Sequence, residues 1–216
     1  MTKPDVLLLH GVLVNAMEML YLKRQLEQQG FTVHSLSYAS TKYSIAENAQ
    51  RLYQQIASIK YAKLHVVAHS LGGIMTLHLL EKYPDLKIGR VVMLGTPING
   101  SYAAKRFCRW KVIGRLLTNS MAQGLAGDHH FNITAPHEIG MIAGSIQSPI
   151  GLGLLLGKLP EANDGTVLLS ETKHPLLSQH LVVNKSHTGL VFSKTVAALA
   201  SRFLRTGHFE AQHSAL

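Results

Sequence analysis

The chain has a single cysteine, Cys108, among its 216 residues. No disulfide framework can form within it, so a hydrophobic core has to hold the fold, and a reducing compartment is compatible with it. Charged residues are scarce at 15%, while apolar residues reach 46%. That balance excludes a disordered chain, which lacks the apolar surface to fold. No apolar run reaches the roughly 18 residues that a membrane-spanning helix requires. Acidic side chains are few: 12 Asp and Glu against 21 Lys and Arg, for a net charge of +9. The excess allows an anionic partner such as a lipid surface or an acidic substrate. No nucleic-acid motif accompanies it, so nucleic acid is not expected, and the charge reads first as a solubility feature. Near the N-terminus Lys3 precedes an apolar run at 6–9, but His10, Gly11 and Asn15 interrupt it. A signal peptide is therefore not expected, and the expected location is the cytoplasm. There is no repeat or linker, and the length suits one domain over 1–216.

What is present centres on residues 63–76. Leu64, Val66 and Val67 form a buried-strand pattern ending at Ala68, and Ile74, Leu77, His78 and Leu80 are spaced for a helix. Between them lies Ser70, with Ala68 two residues before and Gly72 two after. This is a nucleophile-elbow pattern, Ala-x-Ser-x-Gly in place of Gly-x-Ser-x-Gly. A serine on a sharp strand-to-helix turn needs small flanking residues, because larger ones collide with neighbouring backbone. A tight turn with an incidental serine would satisfy the same string, so the rest of the chain has to decide.

The first hundred residues alternate strand and helix. Strands are expected at 5–10, 31–36, 64–68 and 90–94. Between them Met17, Leu20, Tyr21 and Leu26 recur at helical spacing, then Ile45, Ala49, Leu52, Ile56 and Ile59. Ser44 and Glu47 form a capping-box pattern before the second stripe. Short apolar strands joined by amphipathic helices define an α/β fold, a mostly parallel sheet with helices on both faces. Ligands in such folds bind beyond the carboxyl ends of the strands. His10-Gly11, Ser70 and Gly95-Thr96-Pro97 all lie there.

Residues 101–136 break the rhythm. Lys105, Arg106, Arg109, Lys111 and Arg115 interleave with Phe107, Trp110, Ile113, Leu116 and Leu117. If the segment is one helix, Ala103, Phe107, Trp110, Gly114 and Leu117 share a face. It reads as an insertion over the site. Residues 145–160 include a glycine-rich apolar stretch, a buried loop or a flap, and the two segments together are expected to form a cap. Further strands are expected near 139–143 and 181–183, and a last helix over 190–204.

A serine hydroxyl needs a base, and the base an orienting acid. Five histidines follow residue 164: His174, His180, His187, His208 and His213. His187 alone sits between an apolar strand and a helix. Asp164, in the turn Asn163-Asp164-Gly165, is the best-placed acid, with Glu161 and Glu171 as competitors. The oxyanion of an acyl-transfer intermediate needs backbone donors, for which Leu71 and Val12 are the candidates, with Gly11 allowing close approach.

With these stretches placed, the chain resembles the α/β-hydrolase superfamily, and its small lipases and esterases above all. The resemblance implies Ser70 as nucleophile, Asp164 as acid, His187 as base, and the N–H groups of Val12 and Leu71 as oxyanion hole. It implies hydrolysis of a small-molecule or lipid ester through an acyl-enzyme, without cofactor. Two departures stand out: the two insertions, and the lack of an obvious calcium-binding cluster of carboxylates in the sequence, so no metal is expected. His10, Gly11, Trp110, Leu154 and Leu155 are candidate substrate contacts for an acyl chain. An acyltransferase or thioesterase on the same triad, or a silent scaffold used for binding, are the alternatives. The basic aromatic segment 105–117 could also touch an anionic membrane surface.

Overall fold

The computed structural model describes residues 3–134, 136–147 and 156–210, with the backbone alone at Ile113. Strands β1 (Asp5–Leu9), β2 (Thr32–Leu36), β3 (Leu64–His69), β4 (Ile88–Leu94), β5 (Ile139–Gly144) and β6 (Gln179–Val183) form one sheet in the order β2-β1-β3-β4-β5-β6. Every neighbouring pair is parallel. Each link must therefore cross over a sheet face, and helices supply the crossovers.

Alternation along each strand sorts the core into two layers. Leu7, Leu9, Val66, Ala68, Val91, Met93, Met141 and Ala143 point to one face. There they meet α2 (Ile45–Ala57) through Leu52 and Ile56, and α3 (Leu71–Lys82) through Ile74 and Leu77. Val6, Leu8, Val67, Val92, Leu94 and Ile142 point to the other face. They meet α1 (Leu20–Gln28) through Leu22 and Leu26, and α7 (Lys194–Thr206) through Val196 and Phe203. The capping box forms: Ser44 Oγ accepts the Glu47 N–H while Glu47 Oε2 accepts the Ser44 N–H. β3 sits mid-sheet, so whatever follows it is held from both sides.

Three expectations need correction, and a fourth lies partly outside the described residues. Met17 is 70% exposed, in a 3₁₀ turn (Ala16–Met19) capped by Asn15; Met19 is the buried residue there. The insertion is not one helix but two, α4 (Tyr102–Phe107) and α5 (Lys111–Ser120). The chain turns at 108–110, so Phe107 and Leu117 are buried while Trp110 caps α5 and is 41% exposed. The last helix is likewise divided, into α6 (His187–Val191) and α7, with Ser193 capping the second. In the glycine-rich stretch Leu156 and Leu159 are buried in the core, whereas Leu154 and Leu155 lie outside the described residues. Among the described residues no helix is long and apolar enough to cross a membrane.

Candidate active site

Ser70 joins β3 directly to α3 with φ 52° and ψ −121°. Such a conformation costs about 1–3 kcal/mol for a non-glycine residue and persists only where the surroundings impose it. Here the Ser70 N–H donates to the Leu94 carbonyl at 2.9 Å, extending the β3–β4 ladder into the turn. α3 then passes hard against β1. A β-carbon on Gly72 would lie 2.6 Å from the Leu9 carbonyl oxygen and 2.7 Å from that of His10. One on Gly73 would meet the Thr96 side chain at 2.1 Å. The small residues after the serine are thus required by two different neighbours.

Asp164 follows β5 and His187 follows β6. His187 Nδ1 donates to Asp164 Oδ2 at 2.7 Å, and the His187 N–H donates to the Asp164 carbonyl at 2.8 Å. The other carboxylate oxygen accepts the N–H groups of Thr166 and Val167 at 3.0 and 2.7 Å. The Asn163-Asp164-Gly165 turn is what aims these donors, with Asn163 Oδ1 accepting the Gly165 N–H at 2.8 Å. Gly95 makes room beneath the pair: a β-carbon there would lie 3.0 Å from His187 Nδ1 and 3.1 Å from Asp164 Oδ2. Burial by itself would lower the His187 pKa. The Asp164 charge and hydrogen bond, helped by Glu18 and Glu171, outweigh it and hold the ring above the usual histidine value.

The competing candidates are occupied elsewhere. Glu171 accepts the N–H groups of Tyr102 and Leu168, and Glu161 that of Ser170. His174 accepts the Leu176 N–H, His180 is bonded to Thr172, and His208 to Gln179. His213 lies outside the described residues.

Two candidate substrate contacts have other roles in the fold. His10 is fully buried and stacks on Tyr38 at 4.4 Å. Its Nδ1 donates to the Gly11 carbonyl at 2.7 Å and its Nε2 accepts the Tyr38 N–H at 3.2 Å. It braces the loop after β1, and its ring has no exposed surface. Trp110 packs edge-on against Phe107 at 5.3 Å and does not line the cleft at Ser70. Gly11 fits its expected place, since a β-carbon there would lie 3.3 Å from Ser70 Cβ. Val12 and Ser70 line one small apolar cavity of about 40 Å³ with Leu13, Phe107, Leu117 and Leu125. α4, α5 and the irregular segment Met121–Leu125 therefore wall the space beside the serine. Leu71 opens α3, where first-turn N–H groups lack intrahelical acceptors.

A second carboxylate at the site escaped the sequence reading. Glu18 Oε2 accepts the Gly11 N–H at 3.3 Å, and Glu18 Oε1 lies 3.2 Å from His69 Nδ1. The latter contact is off the hydrogen-bonding line, so it is an electrostatic contact rather than an aligned bond. His69 Nε2 in turn donates to the His187 carbonyl at 3.2 Å. Burial pushes the Glu18 carboxyl up, but His69 and the Gly11 N–H overcome it and bring its pKa down to about 2. Glu18 and His69 thus tie the β1 loop, the elbow and the His187 loop together. Nothing in their spacing announces it; only His69's place beside Ser70 hinted at it.

The fold is that of the α/β-hydrolases. Among solved structures, the mature lipase BlEst2 of Bacillus licheniformis superposes with a TM-score of 0.65 at 16% identity, covering 96% of this chain and 93% of that one. The metagenomic carboxyl esterase MGS0156 gives 0.71 at 20% identity, covering 94% and 75%. The chain belongs to the family described as Domain of unknown function (DUF7379), whose model matches residues 3–146. Its sequence is also similar to RutD of Pantoea ananatis, a protein named for carbamate hydrolysis, at 35% identity over 78 residues. That stretch spans 36% of this chain and 27% of the relative.

Proposed function

We propose that this chain is a serine hydrolase that cleaves carboxylic esters with an apolar acyl group. Ser70 is the nucleophile, His187 the general base and then acid, and Asp164 the orienting carboxylate. The observation that carries this is the strained Ser70 elbow on the same sheet edge as a buried His187–Asp164 pair. In the reaction Ser70 Oγ attacks the ester carbonyl while His187 Nε2 takes its proton. The N–H groups of Leu71 and Val12 receive the oxyanion, a contribution of roughly 10²–10³ in rate per donor. His187 then protonates the leaving alcohol, and water, activated by the same ring, releases the acid from Ser70. The apolar lining beside Ser70 supports an uncharged acyl group, and its small volume favours a short one while α4 and α5 stay in place.

Intact mass after incubation with a fluorophosphonate tests this first. One adduct is expected on the unmutated protein and none on Ser70→Ala. An unreactive folded protein, with detergent present to open any cover, would sink the proposal. A series of esters of rising acyl length then reads the pocket, with charged acids expected to be the poorest substrates.

A membrane contact has its own support. Trp110, Val112 and Leu116 are 41%, 75% and 45% exposed, beside the exposed cations Lys105, Arg106, Arg109, Lys111 and Arg115. We infer that this face meets anionic lipid near the cover of the site. Co-sedimentation with anionic vesicles should fall when Lys105, Arg106 and Arg109 are changed to Glu. Absence of binding by the unmutated protein ends the idea.

A further inference from the structure

Helix α3 carries a second imidazole–carboxylate cluster in its C-terminal half, apart from the Ser70 site. His78 and Glu81 stand three residues apart and so share a face. They meet His129, which arrives from the segment after α5. One donor atom from each lies within 4.8 Å of the other two. His129 Nε2 is 2.7 Å from Glu81 Oε2, and the other Glu81 oxygen accepts the Asn132 N–H at 2.7 Å. His78 Nε2 donates to the Gln123 carbonyl at 2.7 Å, which leaves Nδ1 as the nitrogen with the lone pair. A ring held by its other N–H on a backbone carbonyl is the arrangement that orients histidine ligands in metal sites. Phe131 stands edge-on to both rings, at 5.0 Å from His78 and 4.7 Å from His129, and gives the cluster an apolar wall.

We propose that His78, Glu81 and His129 bind a divalent transition-metal ion of the zinc class, which clamps residues 121–134 onto α3. Two imidazoles and one carboxylate are a donor set suited to zinc, with water completing the coordination. Bonds of about 2.0 Å at tetrahedral angles put neighbouring donors about 3.3 Å apart. Side-chain rotation would close the wider distances and open the His129–Glu81 contact, with the proton on a ligating ring nitrogen moving to the other nitrogen of that ring or to solvent as the metal binds. The clamped segment contains Gln123, at φ 58°, and Leu125, which lines the cavity beside Ser70. The ion would therefore fix one wall of that cavity from outside the reacting groups. The proposal does not depend on the ester-hydrolase reading.

Chelator-treated protein titrated with Zn²⁺ in a calorimeter, and crystals of the zinc-loaded protein measured at the zinc absorption edge, test it. One ion per chain is expected, with a higher thermal midpoint and an anomalous peak between the three side chains. His129→Ala and Glu81→Gln should each weaken binding by at least roughly tenfold. Lack of binding by the unmutated protein, a peak elsewhere, or affinity unmoved by both substitutions overturns the proposal. If either variant fails to fold, the position of the peak in the unmutated protein decides alone.

Discussion

The two ends of α3 hold the same pair of groups in different surroundings. Near its N-terminus His187 meets Asp164 at 2.7 Å; in its C-terminal half His129 meets Glu81, also at 2.7 Å. The side chains of the first pair are 11% and 1% exposed, those of the second 25% and 23%. Asp164 is enclosed, and its second oxygen is taken by two backbone donors. It can orient one ring and do little else. Glu81 keeps solvent at hand and has a single backbone donor behind it, the Asn132 N–H. Distance alone does not distinguish the two clusters; enclosure and the donors behind the carboxylate do.

The largest expected effect comes from breaking the enclosed pair. Asp164→Asn should lower kcat by about 10⁴, as loss of the orienting acid does in serine hydrolases. It should also move the acid limb of the kcat/KM profile. The proposed base works only as neutral imidazole, so activity should fall as pH drops through the His187 pKa, which lies above the usual value. Removing the Asp164 charge leaves burial to push that pKa down, and the limb moves to lower pH. A limb that stays fixed would mean that another group sets it.

Gly72→Ala probes the backbone beneath that pair. A methyl group 2.6 Å from the Leu9 carbonyl oxygen has only backbone to displace, so a loss of about 1–3 kcal/mol in urea unfolding is expected. An unchanged midpoint would show that α3 can lift off β1. Glu18→Gln is milder. Glu18 raises the His187 pKa from a distance and holds the Gly11 N–H, so kcat should fall about tenfold, or about 1.4 kcal/mol. The acid limb should again shift downward, which a purely structural loss would not cause. The smallest effect belongs to the open pair. In metal-free protein His129→Ala should cost no more than about 1 kcal/mol, because a pair this exposed is screened by water. A larger loss would place that pair with the enclosed one and spoil the contrast.

The parts of the site that were legible in sequence are those whose chemistry is local. Strand, Ser70 and helix are contiguous, so the turn pattern is legible, although the neighbours that require Gly72 and Gly73 to be small, Leu9 and Thr96, come from β1 and the loop after β4. Asn163-Asp164-Gly165 is a turn by composition, and its carboxylate takes the N–H groups of the next residues. His187 was legible by order, as the histidine after the last strand. His10 misled because a histidine at a strand end looks available, whereas its ring is spent on Tyr38 and the Gly11 carbonyl. Trp110 misled because one continuous helix would have turned it inward, and the break at 108–110 turns it out. Glu18 and His129 carried no local pattern at all.

The sequence by itself determined the alternation of strands and helices, the two-layer core and the elbow, because period-2 and helical patterns and turn chemistry act within a few residues. Chain order offered Asp164, Glu161 and Glu171 to His187; the tertiary structure alone decided among them and brought Glu81 to His129 and Glu18 to His69. Asp164 and His187 are 23 residues apart, Glu81 and His129 are 48, and Glu18 and His69 are 51. Crossover connections close those gaps, and pairwise contact across them leaves no periodic trace in the chain.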